Sequence, residues 1–116
     1  MKTTDRIFAW VMLVLGCGHS AVVLVVHKSL SIEAIWFLCG GLTVIFGALL
    51  NLLRIARPDD RLAVRVSALA NLLLFAVFAV AFPWLVHRDL TRNPQVIVVA
   101  IAVAAEFGFS LRQWLR

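Results

Sequence analysis

Histidine occurs three times in the sequence, as His19, His27 and His87, and a glutamate, Glu33, follows the second of these by six residues. Imidazole and carboxylate together are a donor set suited to zinc or copper, and imidazole is the side chain whose charge changes most readily around neutral pH. The spacing is not that of a metal motif. His19 and His27 are eight residues apart, about 80° from one another around a helix, so a chelate using both needs further ligands from other helices. A simpler reading places His27 and His87 at an interface, lets His19 donate to a nearby backbone carbonyl or serine, and uses Glu33 to stabilise the helix N-terminus that it opens.

Glu106 is a second centre of interest. Ser110 and Gln113 follow it at i+4 and i+7, which on a helix makes one polar stripe, and Asn71 falls at a comparable depth in another apolar segment. A Glu106 and Asn71 pair bonding across helices would fix their register, with a gain of roughly 1 kcal/mol in a membrane. The same groups are also the parts of a proton or cation relay. By spacing alone, no second deep carboxylate or basic residue stands beside Glu106, which favours the structural pairing. The candidates for a ligand or ion are therefore His19, Glu33, Asn71, Glu106 and Ser110, and those for a metal are His19, His27 and His87. No cofactor is specified. Catalysis has little support, since there is no HExxH and no nucleophile elbow, and His19 with Glu33 is the only pair suited to acid and base roles.

All these residues must be positioned by strongly apolar elements. Of the 116 residues, 63% are hydrophobic and 15% charged, and the mean hydropathy is +0.99. Four runs reach the roughly 20 residues that a helix needs to cross a hydrocarbon core: 7–26, 32–53, 62–86 and 94–111. Helix is the conformation expected of each, because a backbone in lipid must satisfy its own hydrogen bonds. Ser31, the Pro58-Asp59-Asp60 triplet and the Asn93-Pro94 pair supply helix starts. Short connections between long helices force antiparallel neighbours, so the expected fold is all-α, an integral membrane four-helix up-down bundle forming a single domain.

Charge gives an orientation. Lys2, Arg6, Arg54, Arg57, Arg61, Arg65, Arg112 and Arg116 flank one side, and Lys28, Arg88 and Arg92 the other. The positive-inside rule then puts both termini in the cytoplasm, as a multi-pass protein of the plasma (inner) membrane. One tryptophan per helix falls toward an interface: Trp10 and Trp114 inside, Trp36 and Trp84 outside. The sequence pI of about 10.7 comes from these flanks and not from a basic stripe with interleaved aromatics, so nucleic acid is not an expected partner. Val14-Leu15-Gly16-Cys17 has the outline of a lipoprotein processing site, but Leu15 fits poorly and the apolar run continues to Val26. Cys17 and Cys39 lie in apolar runs and read as small hydrophobes.

An internal repeat is visible. Val26-His27-Lys28-Ser29-Leu30-Ser31 matches Val86-His87-Arg88-Asp89-Leu90-Thr91, sixty residues on. Phe46-Gly47 with Leu50 is echoed by Phe107-Gly108 with Leu111, and Asp5-Arg6 by Asp60-Arg61. The pattern suggests a tandem duplication of a two-helix hairpin, 1–57 and 58–116, arranged as a parallel repeat. Small residues at Gly16, Ser20, Gly40, Gly41, Thr43 and Gly47 permit close helix approach in the first hairpin. Function is expected to be a non-enzymatic binding or transport module for a small ligand, lipid or ion. Its partners would be the lipid bilayer and further copies in a homo-oligomer. The alternative is an accessory or structural subunit of a larger membrane complex.

Overall fold

The computed structural model describes residues 2–27, 29, 31–81, 84 and 94–116. His87, Arg88, Arg92, Asn93 and the whole second copy of the loop motif lie outside the described residues, as do Lys28 and Leu30 of the first copy. Four helices account for nearly everything else: α1 (Lys2–Val26), α2 (Ile32–Ala56), α3 (Arg61–Phe75) and α4 (Pro94–Trp114), with no strand among the described residues. All four helices are long and apolar enough to cross a membrane, α3 when its continuation to Phe78 is included.

Helix starts follow the local chemistry. Ser31 takes an extended backbone conformation and its Oγ accepts from Ala34 N at 3.1 Å, the cap expected for α2. At α3 the cap is Asp60, whose Oδ1 accepts from Leu62 N and Ala63 N at 2.9 and 3.1 Å. Its carboxylate also suits the partial positive charge of a helix N-terminus. The third element departs from the sequence expectation of a helix through residue 86. Regular α-helix ends at Phe75, and Ala76–Ala81 forms a π-helical turn. Ala-Val-Phe-Ala-Val-Ala carries no glycine, proline or polar residue to announce the change.

The helices also extend beyond the apolar runs. α1 begins at Lys2 and α4 continues to Trp114, so polar turns that hydropathy places outside the spans are still helical. Those extra turns carry Asp5 and Gln113 against the bundle.

Packing is antiparallel around a ring, α1 on α2, α2 on α3, α3 on α4 and α4 on α1. Closest approach is between α1 and α2. A methyl placed on Gly16 would lie 3.0 Å from the Gly41 carbonyl oxygen and 2.8 Å from Ile45 Cγ1, and one placed on Gly41 would fall on Ser20 Oγ and 3.0 Å from the Gly16 carbonyl oxygen. The two backbones therefore touch, as small residues at membrane helix interfaces allow. Gly47 is equally filled, since a methyl there would fall on Leu74 of α3. Gly108, its counterpart in the sequence repeat, has open space around it.

The apolar core is thin. Met12, Val44, Ala48, Leu74, Ala102 and Val103 form it, with Phe8, Leu13, Phe75, Phe78 and Val99 packed around. Large apolar side chains point outward instead, among them Leu24 at 85% exposure and Trp36 at 74%. Six polar or charged side chains are fully buried at 0% exposure: Asn51, Arg54, Ser67, Asn71, Glu106 and Ser110. Apolar outside and polar within is the reverse of a water-soluble bundle.

Candidate functional site

The buried polar residues form a connected network. α2 brings Asn51 and Arg54 to one face by their three-residue spacing, α3 does the same with Ser67 and Asn71 at four, and α4 with Glu106, Ser110 and Gln113. The end of α1 adds Asp5. All four helices thus contribute.

Arg54 is the centre of one half. Its Nη1 and Nη2 donate to Asp5 Oδ2 and Oδ1 at 3.0 and 2.6 Å, a two-pronged arginine to carboxylate pair. Nη2 also donates to Glu106 Oε2 at 2.9 Å, and Nη1 to Gln113 Oε1 at 2.8 Å. The planar guanidinium fork suits such simultaneous pairing, which a lysine could not reproduce. Gln113 in turn donates from Nε2 to the Pro58 carbonyl oxygen at 3.1 Å, tying the α2–α3 connection to α4. Two buried atoms here, Arg54 Nε and Glu106 Oε1, have no hydrogen-bond partner among the described residues.

The other half is an amide pair. Asn51 Nδ2 donates to Asn71 Oδ1 at 3.1 Å, and Asn71 Nδ2 donates back to Asn51 Oδ1 at 2.7 Å. Ser67 Oγ donates to the same Asn51 oxygen at 2.7 Å. Asn71 Nδ2 reaches Ser110 Oγ at 3.3 Å and the backbone carbonyl of Glu106 at 3.4 Å, and Ser110 Oγ donates to the Phe107 carbonyl oxygen at 3.0 Å. Met12 Sδ, 3.9 Å from Asn51 Nδ2, marks the apolar boundary.

Asn71, Glu106 and Ser110 are therefore brought together, but not through the bond the sequence suggests. Asn71 meets the Glu106 backbone, while the Glu106 carboxylate turns to Arg54. The expectation that no basic residue or second carboxylate stands beside Glu106 is corrected by Arg54 and Asp5. Both lie at the edges of apolar runs, where a charged residue reads as solvated. Arg54 belongs by sequence to the positive flanks, and Asp5 falls before the first run. The available signal was the Asn51 and Arg54 spacing, which puts two polar groups on the inner face at the end of α2.

His19, His27 and Glu33 lie in the opposite half of the bundle, where the two histidines share a neighbour, Phe37. His19 is half-buried and stacks on Phe37, ring centroids 3.8 Å apart and planes 13° off parallel. His27 approaches the same Phe37 at 6.3 Å in a tilted arrangement. Glu33 is exposed. Among the described residues no three of His, Cys, Asp and Glu come together as a metal ion would require, and His87 lies outside them. Cys17 and Cys39 are free and exposed.

A cleft of about 1090 Å³ opens at the end of the bundle that holds both termini. Asp5 and Gln113 line it, so the two outermost partners of Arg54 are also part of its wall. Behind them, the polar network continues inward through Glu106 to Asn71 and Asn51. A chain of charged and amide groups with one open end can hold a small charged species, pass one along, or simply lock four helices in register. Comparison with known protein families, with curated proteins and with solved structures gives no match.

Proposed function

We propose that the chain is a small polytopic membrane protein, with both termini cytoplasmic, that acts as a non-enzymatic binding or transport module for a small ligand or ion, entering from the cytoplasmic end. The cluster of Asp5, Arg54 and Glu106 is the site. One observation carries this reading: a single fully buried guanidinium faces two carboxylates, and Glu106 Oε1 accepts no hydrogen bond from the described residues. As ionised groups they sum to one surplus negative charge in a region of low dielectric, where an uncompensated charge is costly. A proton or small cation held at Glu106 would balance it. Ser110, Asn71 and Asn51 supply further oxygens for such a species at greater depth.

The test uses purified protein in liposomes loaded with a pH-reporting dye, with potassium and sodium gradients as parallel arms. Flux dependent on the protein and lost in Glu106→Gln, with the variant still folded, supports the module. No flux or ion binding by the wild type in any arm would overturn it.

A second reading is an accessory or structural subunit, in which the same network only fixes helix register. It is favoured by the network's drawing one or more residues from every helix. On that reading Glu106→Gln alters assembly with larger complexes and no ligand-dependent signal exists to lose.

A further inference from the structure

We infer that the cleft at the terminal end is a binding site for the phosphate headgroup of an anionic phospholipid. Five basic residues line it. Arg61 and Arg65 stand one turn apart on α3, Arg112 comes from α4, Lys2 from the start of α1, and Arg116 from the chain's end. Only Asp5 and Asp59 oppose them among the lining residues, and the Asp5 carboxylate is already engaged by Arg54. The lining is thus mostly basic, and the guanidinium groups of Arg61 and Arg65 along one wall suit the several oxygens of a phosphate.

A lipid is favoured over a free anion by what else lines the cleft. Val64, Phe109 and Leu115 give it an apolar wall beside the charges, and Trp114 places an amphipathic ring there of the kind that settles at headgroup level. Leu62, next to Arg61, is 71% exposed on the outer surface, so acyl chains can leave the cleft along apolar side chains. Basic pockets between helices at a membrane surface bind anionic headgroups in this way. The inference rests on the membrane placement of the helices but not on ion binding at Glu106.

The protein in a zwitterionic detergent is titrated with phosphatidylglycerol, with phosphatidylcholine and with inorganic phosphate, and bound lipid is counted by native mass spectrometry. Phosphatidylglycerol is expected to bind at least tenfold tighter than phosphatidylcholine. Arg61→Gln and Arg65→Gln should each weaken it about fivefold, from the roughly 1 kcal/mol that one basic residue contributes near an anionic surface, and the double variant carrying both should weaken it more than about tenfold. The control pair, Arg6→Gln and Arg57→Gln, removes equal charge from exposed residues of the same end that do not line the cleft. It should change affinity less than twofold. Melting in detergent without lipid checks that the variants fold, and the single Arg65→Gln serves if the double variant does not. Equal losses from both pairs would reduce the site to a general surface field, and equal affinity for the two lipids would remove it. Inorganic phosphate competing at the lipid's own concentrations, with the same arginine dependence, would make the ligand a free anion.

Discussion

At the scale of single residues, the inner network divides into a charged half and a neutral half, and substitutions should separate them. Glu106→Gln keeps an acceptor for Arg54 Nη2 while removing the surplus charge, so stability in detergent should stay within about 1 kcal/mol of wild type. Glu106→Ala leaves Arg54 with one acceptor fewer and opens a cavity, and a loss of roughly 2 kcal/mol or more is expected. Reversible unfolding of the two variants side by side measures the difference. The neutral half rests on the reciprocal Asn51 and Asn71 bonds. A double-mutant cycle with alanine at both positions should return a coupling of about 1 kcal/mol, within the range of interhelical hydrogen bonds in membranes. Additivity to within measurement error would mean that the two amides do not act as a pair. These residues were partly legible. Asn71, Glu106 and Ser110 stand out in the sequence because a polar group in a long apolar run is costly wherever it sits. Asn51 and Arg54 do not, because a polar residue near the end of a run looks solvated until the neighbouring helix is seen to extend past it.

Among the elements, the tightest constraint is the contact of α1 with α2 at Gly16 and Gly41. Gly41→Ala drives a methyl onto Ser20 Oγ and against the Gly16 carbonyl, so the helices must separate, at a cost of about 1–3 kcal/mol. Gly18 and Gly108 have no neighbour within 4 Å of an added methyl. Alanine there should be neutral or stabilising by up to about 1 kcal/mol, from helix propensity alone. Melting temperatures of the three variants in one detergent check both statements, and a Gly18→Ala loss as large as that of Gly41→Ala would contradict the packing. Helix existence and the caps at Ser31 and Asp60 could be read from hydropathy and side-chain chemistry, because both are local. Helix length could not. The first turn of α1 and the last of α4 are polar, and their helicity reflects neighbours that satisfy Asp5 and Gln113. The π-helical turn at Ala76–Ala81 was equally hidden in a uniformly apolar stretch.

For the whole molecule, a ring of four antiparallel helices with an apolar exterior sets both termini at the same end. Reporter fusions at residue 116 and within 57–60 should give the same sidedness, on the cytoplasmic face if the basic flanks orient the chain; opposite sidedness would break the four-crossing plan. What unites the bundle is the charged cluster at that end, where Arg54 of α2 holds Asp5 of α1 and Glu106 of α4. The most direct test is the unfolding free energy of Arg54→Met alone and combined with Asp5→Asn and Glu106→Gln. Alone, it strands two carboxylates without their cation and should cost about 3–5 kcal/mol, while neutralising both carboxylates in the same chain should restore most of that loss. An Arg54→Met protein as stable as wild type, or one that the two added substitutions fail to rescue, would contradict a buried arginine held between two helices.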